Sequence, residues 1–99
     1  MYARTGSVSV PPEGVDDAAQ TMRELLPLYH DLAGYRGFTI LVDRKAGLVM
    51  GISFWETLED MRASDEVAVA ARQRVSDAGG HLEYGVGQPW EVFGEERLG

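Results

Sequence analysis

The chain has no cysteine and no asparagine, only two histidines, and a single lysine, Lys45, among nine basic residues. Without cysteine there is neither a disulfide framework nor a thiolate metal site, and two histidines are too few to furnish an ordinary zinc or iron centre. The natural reading is a protein with no metal and no cofactor. Sixteen acidic residues set the net charge at -7. Such a chain repels nucleic-acid backbones and anionic lipid, so neither nucleic acid nor a membrane surface is an expected partner. No apolar run approaches the roughly 20 residues of a membrane span, and "MYARTGSVSV" lacks a secretory apolar core. A cytoplasmic location is expected.

Ninety-nine residues suffice for one domain, 1–99, but bury a modest fraction of their surface, so self-association would help. The stretch "GFTILVDRKAGLVMGISFWE" reads as two strands around a turn at Arg44 to Gly47. Cross-strand pairing puts Phe38, Ile40, Val42, Val49, Gly51, Ser53 and Trp55 on one face. Thr39, Leu41, Asp43, Leu48, Met50, Ile52 and Phe54 form the other. Both faces are apolar, so each needs a cover.

Tyr2 to Val10 reads as a first strand ended by Pro11-Pro12. Val15, Ala18, Ala19, Met22, Leu25, Leu26, Tyr29 and Leu32 then recur at helical spacing, with Pro27 bending the helix or ending it early and Gly34 closing it. Thr57 opens a short helix, and a longer one from about Asp65 to Ala78 buries Val67, Ala71, Val75 and Ala78 before Gly79-Gly80. A last strand lies within His81 to Phe93, where Pro89 makes it an edge strand or interrupts it. The order βαββαβ predicts an α+β, ferredoxin-like antiparallel sheet with two helices on one face. Leaving Leu41, Leu48, Met50, Ile52 and Phe54 wet on the other face forgoes on the order of 10 kcal/mol, at roughly 2 per side chain. Association costs about 4 to 15 kcal/mol, so a second copy burying the same set is the expected cover.

The segment "GYRGFTILVDRKAGLVMGISFWETLEDMRAS" resembles the antibiotic biosynthesis monooxygenase family of the dimeric α/β-barrel superfamily, through Gly34-Tyr35-Arg36-Gly37 and Phe54-Trp55-Glu56. With the flanking helices the resemblance covers Ala3 to Phe93. It implies a homodimeric barrel and, in one branch, cofactor-free oxidation of an electron-rich aromatic by O2 in a pocket that excludes water. Trp55 matches that branch's pocket aromatic; of its polar partners, the Asn is absent, Met61 stands in the following helix, and Arg72 is a candidate. The haem-degrading branch implies an Asn, a Trp and an axial His, where this chain has no Asn, Ser64, and Ala71 or Arg72, so haem degradation is rejected.

Two functions follow. The first is a cofactor-independent monooxygenase-like protein for a small aromatic or polyketide-like substrate. Trp55, Arg72 and His30 are its catalytic candidates, and Tyr29, Gly51, Ser53, Met22 and Leu26 its substrate contacts. The second is a non-catalytic ligand-binding or accessory dimer. Each candidate has a plainer reading: Trp55 as core, His30 and His81 as surface residues, Arg72 and Arg74 as a solvated ion-pair face, Arg4 and Tyr35 as cover for the sheet edge, Met50 and Phe54 as dimer-face core. "GVG" at Gly85 to Gly87 has no following helix start and is no phosphate loop. Gly51 and Ser53 remove bulk beside Trp55, which predicts a dry pocket between the first helix and the hairpin.

Overall fold

The computed structural model describes residues 1–77, 81–82 and 88–98; Ala78, Gly79, Gly80, Gly85 to Gly87 and the side chain of His81 lie outside the described residues. The elements are β1 (Tyr2–Ser9), α1 (Val15–Glu24), β2 (Tyr35–Asp43), β3 (Leu48–Trp55), α2 (Leu58–Ala63), α3 (Asp65–Asp77), β4 (His81–Leu82) and β5 (Gln88–Glu91). All pairings are antiparallel in the order β2-β3-β1-β4, and β5 joins β1 as well. β5 pairs the start of β1 and β4 its end, so they are two pieces of the expected last strand on one edge. Pro89, opposite Arg4, is tolerated there because an edge residue need not donate to a further strand.

The hairpin has the expected register, from Asp43 opposite Leu48 to Phe38 opposite Ser53, with an irregularity between Tyr35 and Gly37. Its turn is pinned twice. Asp43 Oδ1 accepts from the Ala46 amide at 3.0 Å, and the Val10 amide donates to the Gly47 carbonyl at 2.8 Å. Gly47 has φ +69°, and a Cβ there would lie 2.1 Å from the Val10 carbonyl oxygen, so only glycine fits this crossing.

α1 stops at Glu24 and the chain tightens into a 3-10 turn over Leu26–Tyr29. Pro27 has no amide hydrogen to give the carbonyl four residues back, which ends the α-helical ladder as expected. Leu25 and Tyr29 are buried, whereas Leu26 is only half-buried. Thr57 caps α2 by accepting from the Asp60 amide at 3.0 Å. Along α3 the buried residues are Ala68, Ala71 and Val75; Val67, expected inside, is half-buried and packs at the margin around Met61.

The helices cover one face of the sheet. Val8, Val49, Val15, Ala18, Leu25, Ala71 and Val75 form one core cluster, and Tyr29, Trp55 and Met61 a second. The opposite face carries Leu41, Leu48, Met50 and Trp90, all exposed in the single chain, beside half-buried Ile52 and Phe54.

Candidate functional site

Alternation along β1 puts Tyr2, Arg4, Gly6 and Val8 on the helix-covered face, opposite Trp55, Ser53, Gly51 and Val49 of β3. At the centre of these two strands the residues are small or polar, so the helices cannot close on them with apolar bulk. A cavity of about 60 Å³ remains, lined by Met22 and Leu25 of α1, Tyr29, Phe38, Gly51, Ser53, Arg4, Ala71, Arg72 and Val75 among others.

Ser53, Gly51, Met22, Tyr29 and Arg72 thus come together there as the sequence pattern predicts. Trp55, His30 and Leu26 do not line the cavity. Trp55 is fully buried behind it, its Nε1–H donating to Ser53 Oγ at 2.9 Å. Tyr29 and Tyr35 seal it there, with ring centroids 6.2 and 5.5 Å from its own. Leu26 is half-buried, one residue around the helix from Leu25, which takes the place on the cavity wall. His30 is exposed and tilts against Tyr35 at 6.2 Å. Gly51 does leave space, but not all of it is empty: a Cβ there would meet Phe38 Cζ at 2.8 Å and Met22 Sδ at 3.0 Å.

Arg4 is the residue the sequence reading undervalued. It is 6% exposed, donating through Nη1 to Ser64 Oγ at 2.9 Å and through Nη2 to the Met61 carbonyl at 2.6 Å and to the Asp65 carboxylate. Ser64 Oγ in turn donates to the same carbonyl at 2.5 Å, which locks the α2–α3 corner over the sheet. The available signal was alternation: with Val8 facing the core, Arg4 had to face it too. Arg72 lies across Gly6, its Cδ and Nη1 each 3.9 Å from where a Cβ would stand.

The electrostatics follow from this crowding. Burial holds the Tyr29 phenol above its usual range, against the opposing pull of Arg4 and Arg72. Tyr35 is also raised, by burial and then by Tyr29. Burial and then the Arg4 charge push Arg72 down, against Tyr29 and Asp65, which favour its charged form. At neutral pH Tyr29 is therefore a neutral hydrogen-bond donor rather than a base. Among the described residues no cluster of three metal-ligating side chains occurs. A haem does not fit this cavity, which is far too small for the macrocycle and, among the described residues, is lined by no histidine.

No family model matches the chain. It is 36% identical over 77 residues to the uncharacterized Mycobacterium tuberculosis protein Rv2558, which covers 77% of this chain and 33% of that protein. It is 30% identical over 98 residues to Rv2557 of the same organism, covering 98% of this chain and 43% of that one. The chain thus spans less than half the length of these curated relatives. A solved structure from Nitrosomonas europaea, assigned to the antibiotic biosynthesis monooxygenases, superposes with TM-score 0.68 at 17% identity over 93% of this chain and 89% of its own. An anthrone oxidase-like protein gives TM-score 0.62 at 20% identity over 90% of this chain and 40% of its own. The haem-degrader MhuD of M. tuberculosis, with two haems in its active site, gives 0.64 at 16% identity over 98% of this chain and 100% of its own. Among the described residues no helix is long and apolar enough to cross a membrane. The chain therefore has the ferredoxin-like fold of the antibiotic biosynthesis monooxygenase proteins.

Proposed function

We propose that this protein is a cofactor-independent, monooxygenase-like cytoplasmic homodimer that binds a small aromatic or polyketide-like compound between helices and sheet. The observation that carries the reading is the cavity itself, an apolar chamber with Arg72 and a neutral Tyr29 set into its wall. An acidic phenol or enol entering it finds no carboxylate or imidazole among the described lining residues to act as base. The guanidinium charges lower the cost of ionisation instead, so the substrate proton leaves to water at the cavity mouth. The resulting carbanion passes an electron to O2, the two radicals combine to a peroxide, and loss of water leaves a new carbonyl. Overall, CH2 and O2 become C=O and H2O. Tyr29 donates a hydrogen bond to the developing oxyanion, Arg72 offsets its charge, and Trp55 backs the wall through Ser53. His30, at the surface, makes no contact with substrate in this scheme. Met22 is the movable wall, because a flexible thioether can swing off Gly51 to admit a ring.

Dimerisation through the helix-free face supports the same reading. Leu41, Leu48, Met50, Ile52, Phe54 and Trp90 need a cover, and a second copy of this fold supplies one of matching shape. The length of the curated relatives beyond the matched region leaves room there for a second domain of this size.

Oxygen uptake with a panel of anthrones and hydroquinones in metal-free buffer tests the activity. Turnover should fall at least about tenfold in Arg72→Gln, the size expected for removing one charged donor from the oxyanion. No uptake and no binding across the panel would favour the alternative, a non-catalytic ligand-binding or accessory dimer, which the small cavity and the missing Asn support.

A further inference from the structure

Among the described residues Arg72 has no carboxylate paired with it. Arg36, Arg44 and Arg97 pair with carboxylates at the surface, and Arg4 pairs with Asp65. Among the described residues no carboxylate lies within 4.0 Å of Arg72, and its Nε is buried with no hydrogen-bond partner. An orphaned buried donor is costly, and a charged one more so, so proteins keep it only where something else satisfies it. Arg4 cannot help, since it repels Arg72 and its own donors are committed to Ser64, Met61 and Asp65. Among the described residues two guanidiniums stand against one carboxylate, which gives this end of the cavity an excess positive charge. Burial, with Arg4 adding to it, makes the charged form of Arg72 harder to hold, and an anion alongside would relieve both effects.

Shape narrows the anion. The Nε–H and the neighbouring Nη–H of an arginine point the same way and match the two oxygens of a carboxylate. The rest of the wall, from Met22, Leu25, Phe38, Ala71 and Val75, is apolar and suits a carbon chain rather than a bare inorganic ion. The volume of about 60 Å³ exceeds the ~10–15 Å³ that one water requires and falls short of the ~150 Å³ cavity that admits benzene. We propose that the Arg72 end of the cavity is a carboxylate-binding subsite, of a size for a short aliphatic acid or for the acid-bearing end of a larger substrate, which engages the Arg72 fork as the side chain turns its buried Nε–H to the cavity. This deepens the reading of the cavity as the ligand site and rests on that part of it.

Butyrate and its neutral isostere butyramide test it, with the Arg72 Nε–H resonance of the full chain as the readout, assigned by its loss in Arg72→Gln. Butyrate should shift that resonance saturably, and butyramide should bind at least about tenfold more weakly, as expected for a charge-assisted pair. In ligand-observed NMR, Arg72→Gln should lose the preference for acid over amide and Arg72→Lys should keep part of it. If both variants fail to fold, ligand-observed NMR of butyrate against butyramide on the wild-type chain still decides. Equal binding of acid and amide, or no saturable shift with either, overturns the subsite. Oxygen uptake on phenols by a protein indifferent to butyrate would refute the subsite and leave the oxygenase reading standing. Butyrate capture without uptake on any phenol would do the reverse.

Discussion

Ser53→Ala probes whether the wall behind the cavity is dry. Ser53 is 3% exposed, and its hydroxyl is the partner of the Trp55 indole N–H at 2.9 Å. Alanine keeps the backbone and most of the volume but leaves a donor buried in a residue with no exposure at all. An unsatisfied buried group of this kind costs about 1–3 kcal/mol. At about 4–8 °C per kcal/mol for a domain of this size, melting should fall by roughly 5–20 °C. Urea unfolding followed by far-UV circular dichroism measures it, and in a Trp90→Phe background the emission of Trp55 reports on its surroundings. A cycle isolates the bond: in Trp55→Phe, which has no indole N–H to orphan, Ser53→Ala should cost at least about 1 kcal/mol less. A loss below about 0.3 kcal/mol in the parent, with Trp55 emission shifted to the red, would refute the reasoning. Water would then be reaching the indole through the cavity.

Gly51→Leu should lower stability by about 1–3 kcal/mol, read by calorimetry, because its first side-chain carbon runs into the Phe38 ring and the Met22 thioether; a raised melting temperature would mean that the cavity accepts the new side chain. Ile52→Asp should turn a dimer into a poorly folded monomer in sedimentation equilibrium, since a charge placed between sheets has no partner; an unchanged sedimentation profile would remove the case for that interface. Tyr29 and Tyr35 both have folded pKa values raised above the ordinary 10.0. Their neutral forms are favoured in the fold, so the unfolded chain holds fewer protons above that pH. Their contribution is therefore full below pH 10 and lost as pH rises through the folded values, and Tyr29→Phe should flatten the alkaline fall in urea midpoint.

Much of this molecule was legible from local rules. Period-two alternation settles the hairpin register once the turn is placed, so the contents of both faces followed from Arg44 to Gly47 alone. Pro27 ends α1 because a missing amide hydrogen has the same effect in any context, and Pro89 belongs to an edge for the same reason. The pocket between the first helix and the hairpin followed from Gly51 and Ser53, two small residues on a strand face otherwise made of bulk. What tertiary structure alone decided is which residues share that space. Arg4 shares its face with Val8 by alternation, but how deeply it is buried depends on strand order, which places β1 between β3 and the last strand. Leu25 rather than Leu26 meets the cavity because one residue turns the side chain through about 100°, and the way α1 crosses the sheet chooses between the two. Trp55 lies behind the chamber because Tyr29 and Tyr35 close over it from elements far apart in sequence. Arg72 turns inward because Gly6 leaves it room. Each of these depends on what crosses above a residue, and the energy of burial is set by those distant neighbours rather than by the residue itself.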